Sequence, residues 1–165
     1  MVGAAHTRVE QSISELGRNQ SKTYYFPAAV FNVGLKRMLD KIRILVGYDE
    51  SQQSKDAVKE AITIARCFSG FIKVVHVYEK GMEGKAETGV IEVQEKLKKA
   101  EVGHVVSLVL GSNPAKALLT IAKQEDFALI VVGSRGLENT LSMLLGSVSK
   151  QIVANAHCNV LVVKD

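Results

Sequence analysis

The feature that most constrains this sequence is the regular alternation, from Lys41 onward, of short β-branched apolar runs with stretches of helical periodicity. The runs fall at 42–46, 71–77, 104–110, 128–132 and 159–163. Most are nearly continuous in apolar residues rather than strictly alternating, the pattern of strands covered on both faces. Five strands of this kind joined by helices need right-handed crossovers, so the spacing predicts an α/β fold: a mostly parallel five-stranded sheet with helices on both faces.

The helical stretches carry their own end signals. Ser51 can cap a helix over 51–69, where Ala57, Val58, Ala61, Ile62 and Ala65 recur at helical spacing and Gly70 ends it. A more charged helix is expected over 85–100, with Val90, Ile91, Gln94 and Leu97 as its inner stripe. Asn113-Pro114 opens the next, Asn as cap and Pro at the first helical position, with Ala117, Leu118 and Ile121 facing inward. The last spans 141–155.

Composition narrows the function classes. Lys plus Arg number 21 against 17 Asp plus Glu, a net charge of +4 spread along the chain. Nucleic-acid binders concentrate cations on one stripe with interleaved aromatics, so nucleic acid is not expected as a partner. Cys67 and Cys158 stand without a CxxC partner, which disfavours a closed metal site; Cys67 is expected in the core, and Cys158 precedes the final strand. His76 and His104 sit inside strand runs as half-buried residues, and the lysines at 96, 98 and 99 form a solvated helix face. The apolar stretch 24–35 is about a dozen residues and contains Pro27, too short for a membrane span. A cytoplasmic, reduced location is expected. Residues 1–40 differ in texture from the domain expected over 41–165: a polar stretch, a weak capping box at Ser12 and Glu15, then an aromatic cluster at Tyr24, Tyr25, Phe26 and Phe31. That segment reads either as a partly disordered extension with one apolar anchor or as an interface arm.

In an open parallel sheet ligands bind outside the carboxyl ends of the strands. Run one is followed by Gly47-Tyr48-Asp49-Glu50-Ser51 and run four by Gly133-Ser134-Arg135-Gly136, after which Gly146-Ser147-Val148-Ser149 opens a helix. Glycines let backbone approach a ligand closely, and a helix N-terminus offers unpaired N–H groups to an anion. Together they describe a phosphate cradle. The P-loop GxxxxGK[ST] is absent, since Gly146-Ser147 lacks the lysine, and no general base for phosphoryl transfer stands out.

The Gly-x2-Gly-x9-Gly-Ser spacing of Gly133, Gly136, Gly146 and Ser147 resembles the nucleotide-binding motif of the universal stress protein family. The segments 44–51, 76–77, 131–134 and 159–163 stand in register with that family, and the likeness covers about 41–165. It implies strand order 3-2-1-4-5, a homodimer joined through the last strand, and ATP as ligand, because members that keep all three glycines tend to bind it. By matching positions it implies Gly47, Tyr48 and Asp49 beside the nucleotide, with Asp49 facing ribose, phosphate or a magnesium or manganese ion. Val77 and Val132 would flank adenine. Gly133, Gly136, Gly146, Ser147, Val148 and Ser149 would hold ribose and phosphates. Arg135, by its place inside the glycine loop, reads either as a contact to the γ-phosphate or as a solvated loop arginine. The connection over 79–103 is shorter than in the ATP-binding members. The function so implied is a nucleotide-dependent switch or stress-response regulator with at most slow hydrolysis and an unidentified protein partner. A weak ATPase or phosphotransferase and a nucleotide-free interaction protein are the alternatives.

Overall fold

The computed structural model of the chain describes residues 42–134 and 145–164. Its strands are β1 (Arg43–Tyr48), β2 (Phe71–Tyr78), β3 (Gly103–Leu110), β4 (Leu129–Gly133) and β5 (Asn159–Val163). The helices between them are α1 (Gln52–Phe68), α2 (Glu83–Gly89), α3 (Ile91–Ala100), α4 (Pro114–Gln124) and α5 (Ser147–Asn155). All strand pairings are parallel and the order is β3-β2-β1-β4-β5, with Val46 opposite Val74 on one side and Val131 on the other.

Alternate residues of each strand feed two cores. Ile44, Val46, Ile72, Val74, Val131 and Leu161 pack under α1 and α3, while Leu45, Val75, Ile130, Val132 and Val160 pack under α4 and α5. This two-sided burial is why the runs read as continuous; all five residues of β5 are buried. The five apolar positions expected to face inward on α1 do so, and Ser51 Oγ accepts the Ser54 N–H at 3.2 Å as the cap. On α4, Asn113 Oδ1 accepts the Lys116 N–H at 2.9 Å, but the buried face is Ala115, Leu118 and Ala122, with Ala117 and Ile121 half-buried.

Several expectations need correction. Gly47 and Tyr48 belong to β1 rather than to the loop after it, because ladder pairing with β2 continues to Tyr48 opposite His76. The left-handed residue ending α1 is Ser69 (φ 51°), not Gly70; Gly70 is needed instead because a Cβ there would lie 2.8 Å from the Ile42 carbonyl oxygen. The helix expected over 85–100 is two helices meeting at Val90, and their inner stripe is Ala86, Val90, Val93, Leu97 and Ala100. Ile91 and Gln94 are exposed. Cys67 is exposed, since it shares a stripe of α1 with exposed Thr63. The final helix begins at Ser147, with Gly146 as its cap in extended conformation; 141–144 lie outside the described residues.

Candidate functional site

Strand order reverses between β1 and β4, the inner pair from which the chain winds outward in both directions, and in sheets of this kind the crevice beyond the carboxyl ends of such a pair is the usual ligand position. Gly47 brings the floor of that crevice close. A Cβ on it would stand 2.8 Å from Leu118 Cδ1 and 3.1 Å from Val132 Cγ1, so only glycine lets β1 pass α4 and β4 at this separation.

The turn after β1 is held by side-chain bonds rather than by glycine. The Asp49 N–H donates to Ser54 Oγ at 3.3 Å, and Asp49 Oδ1 accepts both the Ser51 N–H (3.1 Å) and the Ser51 hydroxyl (2.5 Å). Ser51 therefore caps α1 and orients the Asp49 carboxylate at once, leaving Oδ2 as that carboxylate's second acceptor. Glu50 between them adopts φ 67°, a left-handed conformation that costs a non-glycine residue of order 1 kcal/mol. Its carboxylate lies against Gly89, where a Cβ would collide with Glu50 Oε1.

The end of β4 is tied to two elements through one residue. The Ser134 N–H donates to the Val163 carbonyl of β5 at 2.7 Å, and the Ser134 carbonyl accepts the Gly146 N–H at 2.7 Å and the Ser149 hydroxyl at 3.1 Å. Ser149 Oγ also lies 3.0 Å from the Gly146 carbonyl, and the residue is 2% exposed. These bonds set the N-terminus of α5 against the end of β4. They also turn the Ser149 hydroxyl inward, whereas Ser147 is exposed and Val148 half-buried.

Val77 and Val132 both pack into the core under α4, on the strands either side of β1, and Gly133 is half-buried at the end of β4. Tyr48 is different. Its ring belongs to the core under α1 and α3, tilted 56° to the His76 ring at 6.1 Å between centroids, and its carbonyl lies 3.1 Å from His76 Nδ1. Burial, then the carboxylates of Glu92, Glu50 and Asp49, push the Tyr48 phenol up to about 12. What Tyr48 offers the crevice is thus backbone, not side chain. Arg135 and Gly136 lie outside the described residues.

Ser134 and Ser54 also bond into these turns, although neither is one of the glycines or matched positions of the sequence motif. The available signal was a polar residue at a strand end and on a helix's inner face, both buried. Among the described residues no group of three or more His, Cys, Asp or Glu side chains is placed to hold a metal ion. No described helix is long and apolar enough to cross a membrane.

Residues 42–164 match the family model described as the Universal stress protein family. A universal stress protein of Thermus aquaticus is 35% identical over 133 residues, covering 73% of this chain and 97% of its own. One of Methanocaldococcus jannaschii is 33% identical over 138 residues, covering 74% of this chain and 81% of its own. Among solved structures, a universal stress protein in complex with cAMP superimposes with a TM-score of 0.64 at 28% identity, covering 75% of this chain and 97% of that one.

Proposed function

We propose that this chain, which belongs to the universal stress protein family, binds an adenine nucleotide in the crevice beyond β1 and β4. The observation that carries the reading is the bonding at Ser134, which seats the first turn of α5 against the end of β4. The amides of Ser147 and Val148 belong to that first turn and have no acceptor within the helix, and the positive end of the helix favours phosphate. Ser147 adds an exposed hydroxyl. Val77 and Val132 give the base an apolar wall, and Asp49 Oδ2, on the neighbouring strand end, receives a ribose hydroxyl or a cation on the phosphates. Magnesium or manganese held there would take its remaining ligands from phosphate oxygens and water. Arg135 and Gly136 complete the loop in this proposal. The relative at 28% identity solved with cAMP supports the adenine part of the reading.

The nucleotide is ATP, and its bound state rather than fast turnover carries the function, with slow hydrolysis at most. A second copy joins through β5, which ends the sheet in the described residues.

Equilibrium titration with ATP, AMP, cAMP and GTP, each with and without magnesium or manganese, tests this. Binding of adenine nucleotides in preference to GTP is expected. Gly146 stands at φ −61° and ψ 161°, a conformation open to any residue, so Gly146→Val tests crowding of the ligand rather than backbone strain. The variant is expected to lose affinity at least tenfold, about 1.4 kcal/mol. Equal binding of GTP and ATP would refute the adenine wall, and full affinity in the variant would refute the cradle.

A further inference from the structure

On the side of the sheet away from the crevice's glycines, α1 and α3 lie together and bring three lysines to two carboxylates. Lys55 Nζ is 2.6 Å from Glu92 Oε2, and Lys59 Nζ is 2.5 Å from Asp56 Oδ1. Both carboxylates are thereby engaged. Lys96, one turn beyond Glu92 on α3, closes no ion pair within 4 Å among the described residues, and it is half-buried where Lys98 and Lys99 on the same helix are exposed. It lines a shallow recess with room for about one water, together with Tyr48, Lys55, Val58, Glu92 and Val93.

We propose that Lys96 is a preferential site of covalent acylation by small acyl phosphates. The neutral Nζ attacks the acyl carbonyl carbon, the carbon–oxygen bond to phosphate breaks, phosphate leaves with the electron pair, and the amine proton passes to solvent. The product is an uncharged amide, which removes the lysine charge from beside Lys55 and Lys59.

The placement favours the neutral amine that the step requires. An ammonium that is partly desolvated and has no close counter-ion gives up its proton more readily. Burial, with the Lys59 and Lys55 cations beside it, holds the Lys96 ammonium below the usual lysine range, and the Asp56 and Glu92 carboxylates, engaged by the other lysines, offset this only in part. The phenol of Tyr48, protonated at neutral pH, adds no charge. Lys98 and Lys99 share the helix, the sequence neighbourhood and the donor concentration without this packing, so they are internal references.

The test treats the full chain with acetyl phosphate at pH 8 for short times and follows acetylation of each lysine by mass spectrometry. Lys96 is expected to react severalfold faster than Lys98 and Lys99, and to lose that lead in 6 M urea. Lys59→Gln removes the cation that acts most strongly on Lys96 and is expected to slow Lys96 while Lys98 keeps its rate. Equal rates at the three lysines of the folded chain would overturn the proposal. So would a Lys96 lead that survives urea, or one that Lys59→Gln leaves unchanged.

Discussion

Replacing Gly47 with alanine probes how tightly the floor of the crevice is packed. The added methyl would meet Leu118 Cδ1 at 2.8 Å and Val132 Cγ1 at 3.1 Å, against about 3.5–4.0 Å for a relaxed carbon–carbon contact. Leu118 is 2% exposed among Ala115, Ala122, Phe127 and Ile152, so its δ-methyl has to move roughly 0.7 Å into occupied space. Overpacking of this kind costs about 1–3 kcal/mol. The lower entropy of the unfolded chain returns about 0.4–1 kcal/mol, leaving Gly47→Ala destabilised by roughly 1–2 kcal/mol. Leu118→Ala alone is expected to cost about 2–5 kcal/mol. In that background the clash with Leu118 is gone and the new methyl enters the vacated volume, so Gly47→Ala becomes close to neutral. The coupling of about 1–2 kcal/mol stands well outside the ~0.5 kcal/mol within which independent sites add. Urea unfolding followed by far-UV circular dichroism reads it, since the chain has no Trp. A cycle that closes to within about 0.5 kcal/mol would refute the packing argument.

Other outcomes follow from the same geometry. Ser51→Ala removes both the cap on Ser54 and the hydroxyl bonded to Asp49, and is expected to cost about 1–2 kcal/mol in urea unfolding; a change below about 0.3 kcal/mol would contradict the double role. Ser149→Ala deletes the hydroxyl bonded to the Ser134 carbonyl, lowering stability by about 1 kcal/mol and weakening nucleotide affinity, whereas Ser147→Ala is expected to leave stability unchanged. Tyr48 supplies a pH dependence. Its folded pKa of about 12 exceeds the unfolded 10.0, so the unfolded state releases its proton first and stability is lost as pH rises from 10 to 12. At about 1.4 kcal/mol per unit, reduced by solvent screening, the loss is roughly 1–2 kcal/mol. Any advantage of the wild type over Tyr48→Phe at pH 8 is expected to shrink by that amount at pH 12, and a constant difference in urea midpoints would contradict it.

The sequence was most legible where one local pattern decides one local outcome. The runs of β1 to β5 and the caps at Ser51 and Asn113 were readable because two-sided burial and an unpaired amide leave direct marks on composition. Strand order came from resemblance, since periodicity does not say which strands are neighbours. Cys67 is exposed although its residue type suggests burial, because its helical phase sets it beside exposed Thr63. The close approach of the Glu50 carboxylate to Gly89 spans 39 residues, so no window over α2 contains it, and no proline marks the interruption at Val90 in the local sequence. Ser149 shows the same limit at the candidate site. Spacing put its hydroxyl among the phosphate ligands, but two carbonyls, from Ser134 and Gly146, take it inward.

The most direct test of the account is to denature the freshly purified full chain, identify any released nucleotide by chromatography and mass spectrometry, and repeat after loading with ATP and manganese and removing the excess. Close to one adenine nucleotide per chain is expected after loading, still mostly ATP, and much less from Gly146→Val. No nucleotide before or after loading would contradict it.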